Sequence, residues 1–319
     1  MKEINLVDID GINIGHAQNL EGGTGCSVII CKEGATAGVD VRGGAPGTRE
    51  TDLLNPVNMI EKIHSIVLSG GSAFGLEAAN GVMEYLDKCE VGFDVGVTKV
   101  PIVCSAVLFD LSVGLKNIRP DKAMGYQAAI HSEHNKEDLQ GNVGAGTGAT
   151  LGKMLGPEHS MKGGLGSYCI QVGDLKIGAL IAVNCLGDVV DPKTGEIIAG
   201  AIKNSKFINT EQWMIDNYNK DNNVFPGNTT IGAVITNAIL TKSSANKIAS
   251  MAHNGYARTM RPAHTMFDGD TIFTMATNKI EADINVVGML AARVVEKAVI
   301  NAVKNANSRY GLIAYKDIV

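Results

Sequence analysis

The sequence predicts an α/β protein (α/β or α+β) in which helices are layered on a mixed sheet, and three observations carry that expectation. Short runs of β-branched and apolar residues alternate with longer segments of helical periodicity. Hairpin signals join some of the strands, which favours a mixed sheet over a purely parallel one. Glycine is abundant, at 38 of 319 residues, while aromatics are 5%; this suits closely packed layers better than a base-stacking surface. The length allows one large domain or two ordinary ones, and 45% hydrophobic residues can form a core without disulfides or metals.

The elements follow in order. Cys26–Cys31 reads as a short buried strand, and Ile63–Leu68 as another that runs into Ser69-Gly70-Gly71-Ser72. A helix is expected from about Ala73 to Lys88, its apolar face set by Phe74, Ala78, Val82 and Leu86, four residues apart. Asp121–His131 reads as a helix and Gly141–Gly152 as a glycine-rich loop. Tyr168–Val172 and Ile177–Asn184 form a hairpin turning at Gly173-Asp174, and the β region continues at Gly195–Ile198. Glu211–Tyr218 is a short helix, and the polar Asn219–Asn228, with Pro226-Gly227, an exposed loop. Thr229–Thr236 is a β-branched strand, Lys242–Asn254 a capped helix, Thr271–Ala276 a strand, and Asn285–Ala306 a long amphipathic helix.

Composition narrows the function classes. A net charge of −5 with no Lys/Arg run offers no electrostatic footprint for nucleic acid. The six cysteines form no C-x-x-C pair and read as small buried hydrophobes. The N-terminal stretch lacks the apolar core of a signal peptide, and no window is apolar enough to span a membrane, so a reducing cytoplasm is the expected compartment.

Several motifs match a pattern in part. Gly144-x-Gly146-x-x-Ala149 fits the dinucleotide fingerprint, but a polar stretch precedes it where a strand is required. Gly152-Lys153 lacks both the earlier glycine and the following Ser/Thr of a phosphate-binding loop. His131 and His134 flank Glu133 without a third metal ligand at usual spacing. Ser72 is one residue out of register for a nucleophile elbow.

Asn228-Thr229-Thr230-Ile231-Gly232 is more informative. A polar loop runs into a buried strand whose first residue carries a hydroxyl. Attack of that hydroxyl on the Asn228 carbonyl would turn the peptide into an ester, and water would free an N-terminal threonine. Its amine, of pKa about 8, can act as base for its own hydroxyl. Taken alone, two threonines opening a strand are ordinary strand propensity.

Motifs spread along nearly the whole chain resemble the DmpA-type self-processing aminopeptidase family, related in fold to ornithine acetyltransferase. They are Asp8-Ile9-Asp10-Gly11-Ile12-Asn13-Ile14-Gly15-His16, Gly43-Gly44-Ala45-Pro46-Gly47-Thr48 with Thr51-Asp52-Leu53-Leu54, Leu68-Ser69-Gly70-Gly71-Ser72-Ala73-Phe74-Gly75-Leu76, Val143-Gly144-Ala145-Gly146-Thr147-Gly148-Ala149 and Asn228-Thr229-Thr230-Ile231-Gly232.

The resemblance implies a four-layer α/β/β/α sandwich, a single catalytic domain over 1–319, and autoproteolysis between Asn228 and Thr229 into 1–228 and 229–319. It makes Thr229 the nucleophile, where the family more familiarly has serine. Asn184 would polarise the attacked carbonyl, and Asp268-Gly269-Asp270 would orient the nucleophile and its amine. Asp268 replaces a hydroxyl of the family pattern, and two carboxylates so close raise one pKa. The family's oxyanion-donating tyrosine falls near Phe109, which has no donor. Read without the resemblance, Asn184 closes the Gly187-Asp188 turn and Asp268-Gly269 is an ordinary turn; His264, Arg258 and Arg261 stand outside the catalytic set.

The implied activity is that of an aminopeptidase or amidase, hydrolysis of an N-terminal residue from small peptides or amino-acid amides through a Thr229 acyl-enzyme. It needs no cofactor, metal, nucleic acid or membrane, and comes with homo-oligomeric assembly such as a tetramer. An acyltransferase of the ornithine acetyltransferase kind and a non-catalytic small-molecule binder on the same fold are the rival readings.

Overall fold

The apolar runs form strands that mostly extend beyond their sequence limits. The computed structural model describes residues 1–135, 139–219 and 227–318. Ten of its strands join into one hydrogen-bonded system: β1 (Lys2–Ile4), β2 (Asn13–Asn19), β3 (Thr24–Val41), β4 (Thr48–Arg49), β5 (Ile63–Ser69), β6 (Val103–Val107), β7 (Gly164–Val172), β8 (Leu175–Val183), β9 (Ile231–Ala238) and β10 (Thr271–Ile280). The lateral order is β1-β7-β8-β9-β10-β3-β5-β6-β4, with β2 also paired to β3. The pairs are antiparallel except β9–β10 and β5–β6, so the sheet is mixed as expected.

The 18-residue β3 belongs to two sheets. Its first half pairs with β2 and β5, its second half with β10, and the register shifts between Ile30 and Ala35. The expected strand Cys26–Cys31 is therefore only the first part of a longer one. The exposed Lys32-Glu33 breaks the apolar run at the bend where the strand changes sheet.

Side-chain alternation builds the layers. Ile231, Ala233 and Ile235 of β9 share a core between the sheets with Leu180 and Ala182 of β8 and with Ile29, Ile66 and Ala106. On the outer face, Val234, Ala179 and Ile181 pack with residues of α4 (Lys242–Thr259) and α5 (Ile284–Lys304). On the opposite outer face, Val28, Val67 and Val103 pack with α1 (Ala78–Lys88) and α2 (Lys122–His131). The architecture is thus the expected four-layer α/β/β/α sandwich. The short helix α3 (Thr210–Asp216) sits outside these layers in sequence, between β8 and β9.

Local chemistry sets the helix starts. The side chains of Asp121, Thr241 and Asp283 accept N-cap hydrogen bonds from Met124, Ser244 and Asn285 respectively. The segment before α1 departs from expectation. Ser72–Glu77 is a 3-10 turn, in which four-residue spacing does not define one face. Phe74 is accordingly 56% exposed, its ring lying under the Arg119 guanidinium at 3.7 Å. Five of the six free cysteines are buried and Cys89 is exposed. No helix among the described residues is long and apolar enough to cross a membrane.

Candidate active site

The register of the central strands brings distant sequence segments to one edge. Ala182 of β8 lies opposite Ile231 of β9, Ile231 opposite Thr271 of β10, and Thr271 opposite Val41 of β3. The residues just beyond these pairs therefore converge: Asn184 after β8, Thr229 and Thr230 before β9, Asp268 and Asp270 before β10, and Gly43–Pro46 after β3. The structure brings together the expected site residues Asn228, Thr229, Asn184, Asp268 and Asp270.

Thr229 is buried, and its backbone N–H donates to the Asn184 carbonyl at 2.9 Å. Its hydroxyl donates to the carbonyl oxygen of Asn228, the residue before it. The backbone N–H of Gly269 approaches both the Thr229 hydroxyl, at 3.1 Å, and the Asn228 carbonyl oxygen, at 3.2 Å. The N–H of Thr230 donates to Asp270 Oδ1 at 2.8 Å. The Thr229 hydroxyl, the Asn228 carbonyl, the Gly269 N–H and the Asp270 carboxylate are thus assembled within one continuous hydrogen-bonded group.

Asn228 departs from the exposed loop expected for Asn219–Asn228, being 2% exposed; residues 220–226 of that loop lie outside the described residues. The chain is already buried by Gly227, which packs under the ring of Phe109.

The two aspartates are buried and held differently. Asp268 Oδ2 accepts from the Thr265 N–H at 2.9 Å and hydroxyl at 2.6 Å. Asp270 Oδ2 accepts from His264 Nδ1 at 2.8 Å and the His264 N–H at 3.0 Å. Burial first, and then the charge of Asp270, raise the Asp268 pKa from 3.8 to about 6. The carboxylate pair therefore behaves in the direction expected, with burial the larger cause.

A folded-state pKa above the unfolded value means the folded chain holds the extra proton. Asp268 thus contributes stability that is fully present below about 3.8 and lost as pH rises through about 6. In a Thr229→Ala background, Asp268→Asn is expected to flatten the fall of the urea midpoint across that window. Asp110 and Asp188, also raised to about 6 by burial, remain in both chains and cancel. Parallel pH profiles for the two chains would contradict the assignment.

Lys153 is a member of the site that the sequence reading does not find. Its Nζ donates to the Asn184 side-chain oxygen at 2.9 Å, the Asn184 carbonyl at 3.1 Å and the Gly227 carbonyl at 2.9 Å. Burial lowers its pKa to about 7, a shift opposed by neighbouring Cys185, Asp268 and Asp110. The Asn184 side-chain nitrogen completes the cluster by donating to the Phe109 carbonyl at 3.1 Å. Asn184 is thus bound on every side and does more than close a turn.

The glycine-rich loop carries Lys153 into place. It is fastened by a fully buried lysine, Lys162, whose Nζ donates to the carbonyls of Gly146, Ala149 and Gly163 at 2.7–3.0 Å. The only sequence signal for Lys153 is a lysine directly after that loop, and its partners lie 31 and 74 residues further along the chain.

A cavity of about 190 Å³ opens in front of Thr229, lined among others by Pro46, Ser72, Leu108, Phe109 and Phe267. No charged side chain lines it among the described residues. Among those residues, no cluster of His, Cys, Asp and Glu is placed to hold a metal ion.

Comparisons with known proteins bear on the family and the fold. The model of peptidase family S58 matches residues 5–314. An uncharacterized aminopeptidase of Mycobacterium bovis is 36% identical over 349 residues, covering 98% of this chain and 97% of its own. A 6-aminohexanoate-oligomer endohydrolase of Paenarthrobacter ureafaciens is 32% identical over 287 residues, covering 88% of this chain and 77% of its own. Among solved structures, the L-aminopeptidase D-Ala-esterase/amidase of Ochrobactrum anthropi, described as a variant of the Ntn hydrolase fold, superposes with a TM-score of 0.69 at 17% identity, covering 95% of this chain and 86% of its own. A β-aminopeptidase of a Burkholderia species gives 0.70 at 17% identity, covering 98% and 92%; these two likenesses concern the fold. The family match over nearly the whole chain, with relatives above 30% identity along most of both lengths, makes this protein a member of peptidase family S58 and a hydrolase.

Proposed function

We propose that the chain is a self-processing hydrolase with one catalytic domain, which cuts its own Asn228–Thr229 bond and then uses Thr229 against amide bonds of small peptides or amino-acid amides. The observation that carries this reading is the Thr229 hydroxyl resting on the Asn228 carbonyl oxygen, with the Gly269 N–H donating to both.

In the first reaction Oγ1 bonds to the Asn228 carbonyl carbon, and the C=O electron pair moves to the oxygen facing Gly269 N–H. The hydroxyl proton passes to the Asp268/Asp270 carboxylate pair. The C–N bond then breaks, the proton returns to the departing Thr229 nitrogen, and an ester remains. Water adds to that ester, the C–Oγ1 bond breaks, and a carboxylate on Asn228 and the Thr229 hydroxyl are released beside the amino group already freed.

The new amine, of pKa about 8, then serves as base for the hydroxyl beside it. Asp268 and Asp270 hold the ammonium formed during attack. The Gly269 N–H supplies the donor at the acyl carbonyl in place of a tyrosine at Phe109, while Lys153 and Asn184 hold the neighbouring Gly227 carbonyl. Cytoplasmic residence and homo-oligomeric assembly, as a tetramer for example, belong to the same reading.

Intact mass under denaturing conditions tests it. The mature protein is expected as fragments of 228 and 91 residues (the 319 of the chain less 228), the smaller beginning at Thr229. A single undivided mass after prolonged incubation removes the reading. Acyl release that requires an added amine acceptor would instead identify an acyltransferase.

A second reading of the substrate has a specific observation in its favour. Among the described residues, the cavity lining holds no carboxylate to pair with the ammonium of an unblocked N-terminal residue. Lys153 and Asn184 both reach the carbonyl of Gly227, one residue upstream of the scissile one. Both features favour internal amide bonds with a neutral acyl side, in line with the endohydrolase name of one relative.

A further inference from the structure

His264 is bound to the site more tightly than its sequence context suggests. Its ring Nδ1 and its backbone N–H both meet Asp270 Oδ2, at 2.8 and 3.0 Å. A carboxylate oxygen accepts, so Nδ1 carries the proton. The residue has φ +60°, in the left-handed region that non-glycine residues adopt uncommonly. In that conformation ring and backbone converge on one oxygen.

The ring has little freedom to leave. It packs edge-on against His253, with centroids 4.8 Å apart, and lies 6.2 Å from the Tyr256 ring. Both neighbours are fully buried, and burial keeps His253 neutral, its pKa lowered to about 4. Asp270 is consequently gripped at both oxygens: Oδ2 by His264, and Oδ1 by the N–H of Thr230, the residue that follows Thr229.

We propose that His264 is a positioning residue, which fixes the rotation of the Asp270 carboxylate so that Oδ1 faces the Thr229–Thr230 backbone. This deepens the function proposed above and rests on it for the kinetic consequence. The contact itself stands independently of which residue is the nucleophile. His264 does not touch the reacting atoms; it acts through Asp270.

Two measurements test the assignment. In the first, wild type, His264→Ala and His264→Asn are compared for self-cleavage rate and for turnover of a small amide. Asparagine places an amide N–H near the position of imidazole Nδ1. Loss of a hydrogen bond to a charged group predicts a fall in kcat of about 10- to 100-fold for His264→Ala with KM little changed, and recovery of most of it in His264→Asn. An asparagine variant as slow as the alanine variant, or an alanine variant as fast as wild type, overturns the proposal.

In the second, the ring nitrogens of His264 are observed by ¹⁵N NMR in the single-chain Thr229→Ala protein. The expected result is a proton on Nδ1 whose signal moves on Asp270→Asn. A bare Nδ1, or a signal indifferent to Asp270→Asn, overturns the proposal even if His264→Ala does not fold. Wild type that never cleaves itself removes the Thr229 reading, and the ring signals then decide the His264 contact alone.

Discussion

Thr229→Ala protein is expected to run as one chain of 319 residues and to lack amide hydrolysis, with turnover lower by a factor on the order of 10⁶, the scale of losing a nucleophile that works with its base as a unit. Two functions are removed by one oxygen. In the proposed reaction the hydroxyl that rests on the Asn228 carbonyl is the group that opens that peptide. Without it no free amine forms, so no base is created either. Thr229→Ser is expected to behave differently, because it retains the hydroxyl and loses only a methyl group. It should yield the same two fragments. Denaturing mass spectrometry of both variants, alongside amine release from a small amide, checks the pair. An alanine variant that still divides after Asn228 would place the nucleophile elsewhere.

Gly269→Ala is the second large effect. The N–H of Gly269 approaches both reacting groups, and its Cα sits where a side chain has no room. A Cβ built there would lie 2.7 Å from Thr229 Oγ1 and 2.7 Å from the Ala45 carbonyl oxygen, closer than real Cβ contacts. Either the hydroxyl or the Gly43–Pro46 segment has to move, and the shared donor moves with it. Removing one oxyanion donor costs about 10²–10³ in rate, and displacement of the nucleophile adds to that. The expected result is a chain that folds but cleaves at least about 10²-fold more slowly. Far-ultraviolet circular dichroism with a time course of fragment appearance separates slow chemistry from misfolding. Processing at the wild-type rate would mean that the Gly269 N–H is not the donor.

The parts of this site differ in how far the sequence discloses them. Thr229, Asn184, Asp268 and Asp270 each sit at a strand end, where a polar residue interrupts an apolar run, and each falls within or beside a recognisable motif. Lys153 has no such marking. A lysine after a glycine-rich loop matches a phosphate-binding pattern only in part, and its real partners come together through the β7–β8 hairpin and the approach to β9. His264 is hidden for a related reason: neither a left-handed backbone nor a ring packed on His253 leaves a trace in residue type.

The fold shows the same division. Periodicity located the central strands and the long helices, because burial on one or both faces dictates residue type directly, but it passed over the strands at Asn13–Asn19 and Val103–Val107. It did not reveal that β3 passes from one sheet to the other, since the exposed Lys32-Glu33 looks like a strand end. It also misplaced Phe74, whose four-residue spacing presumes an α-helix where a 3-10 turn forms. The direction of the carboxylate effect was legible, but its larger cause was not, because burial of Asp268 depends on the Thr265 and Leu186 segments folding over it.

One feature of the sheet bears on how such a protein would be counted. β9 lies between β8, which precedes the proposed cut, and β10, which follows it; β10 in turn pairs with β3. Severing the chain before β9 changes covalent connectivity and leaves this network of cross-strand hydrogen bonds in place. The two pieces would then travel as one particle under native conditions and part only in denaturant. Each particle records in its own backbone whether its first reaction took place, so the divided fraction on a denaturing gel serves as an active-site titration that needs no substrate.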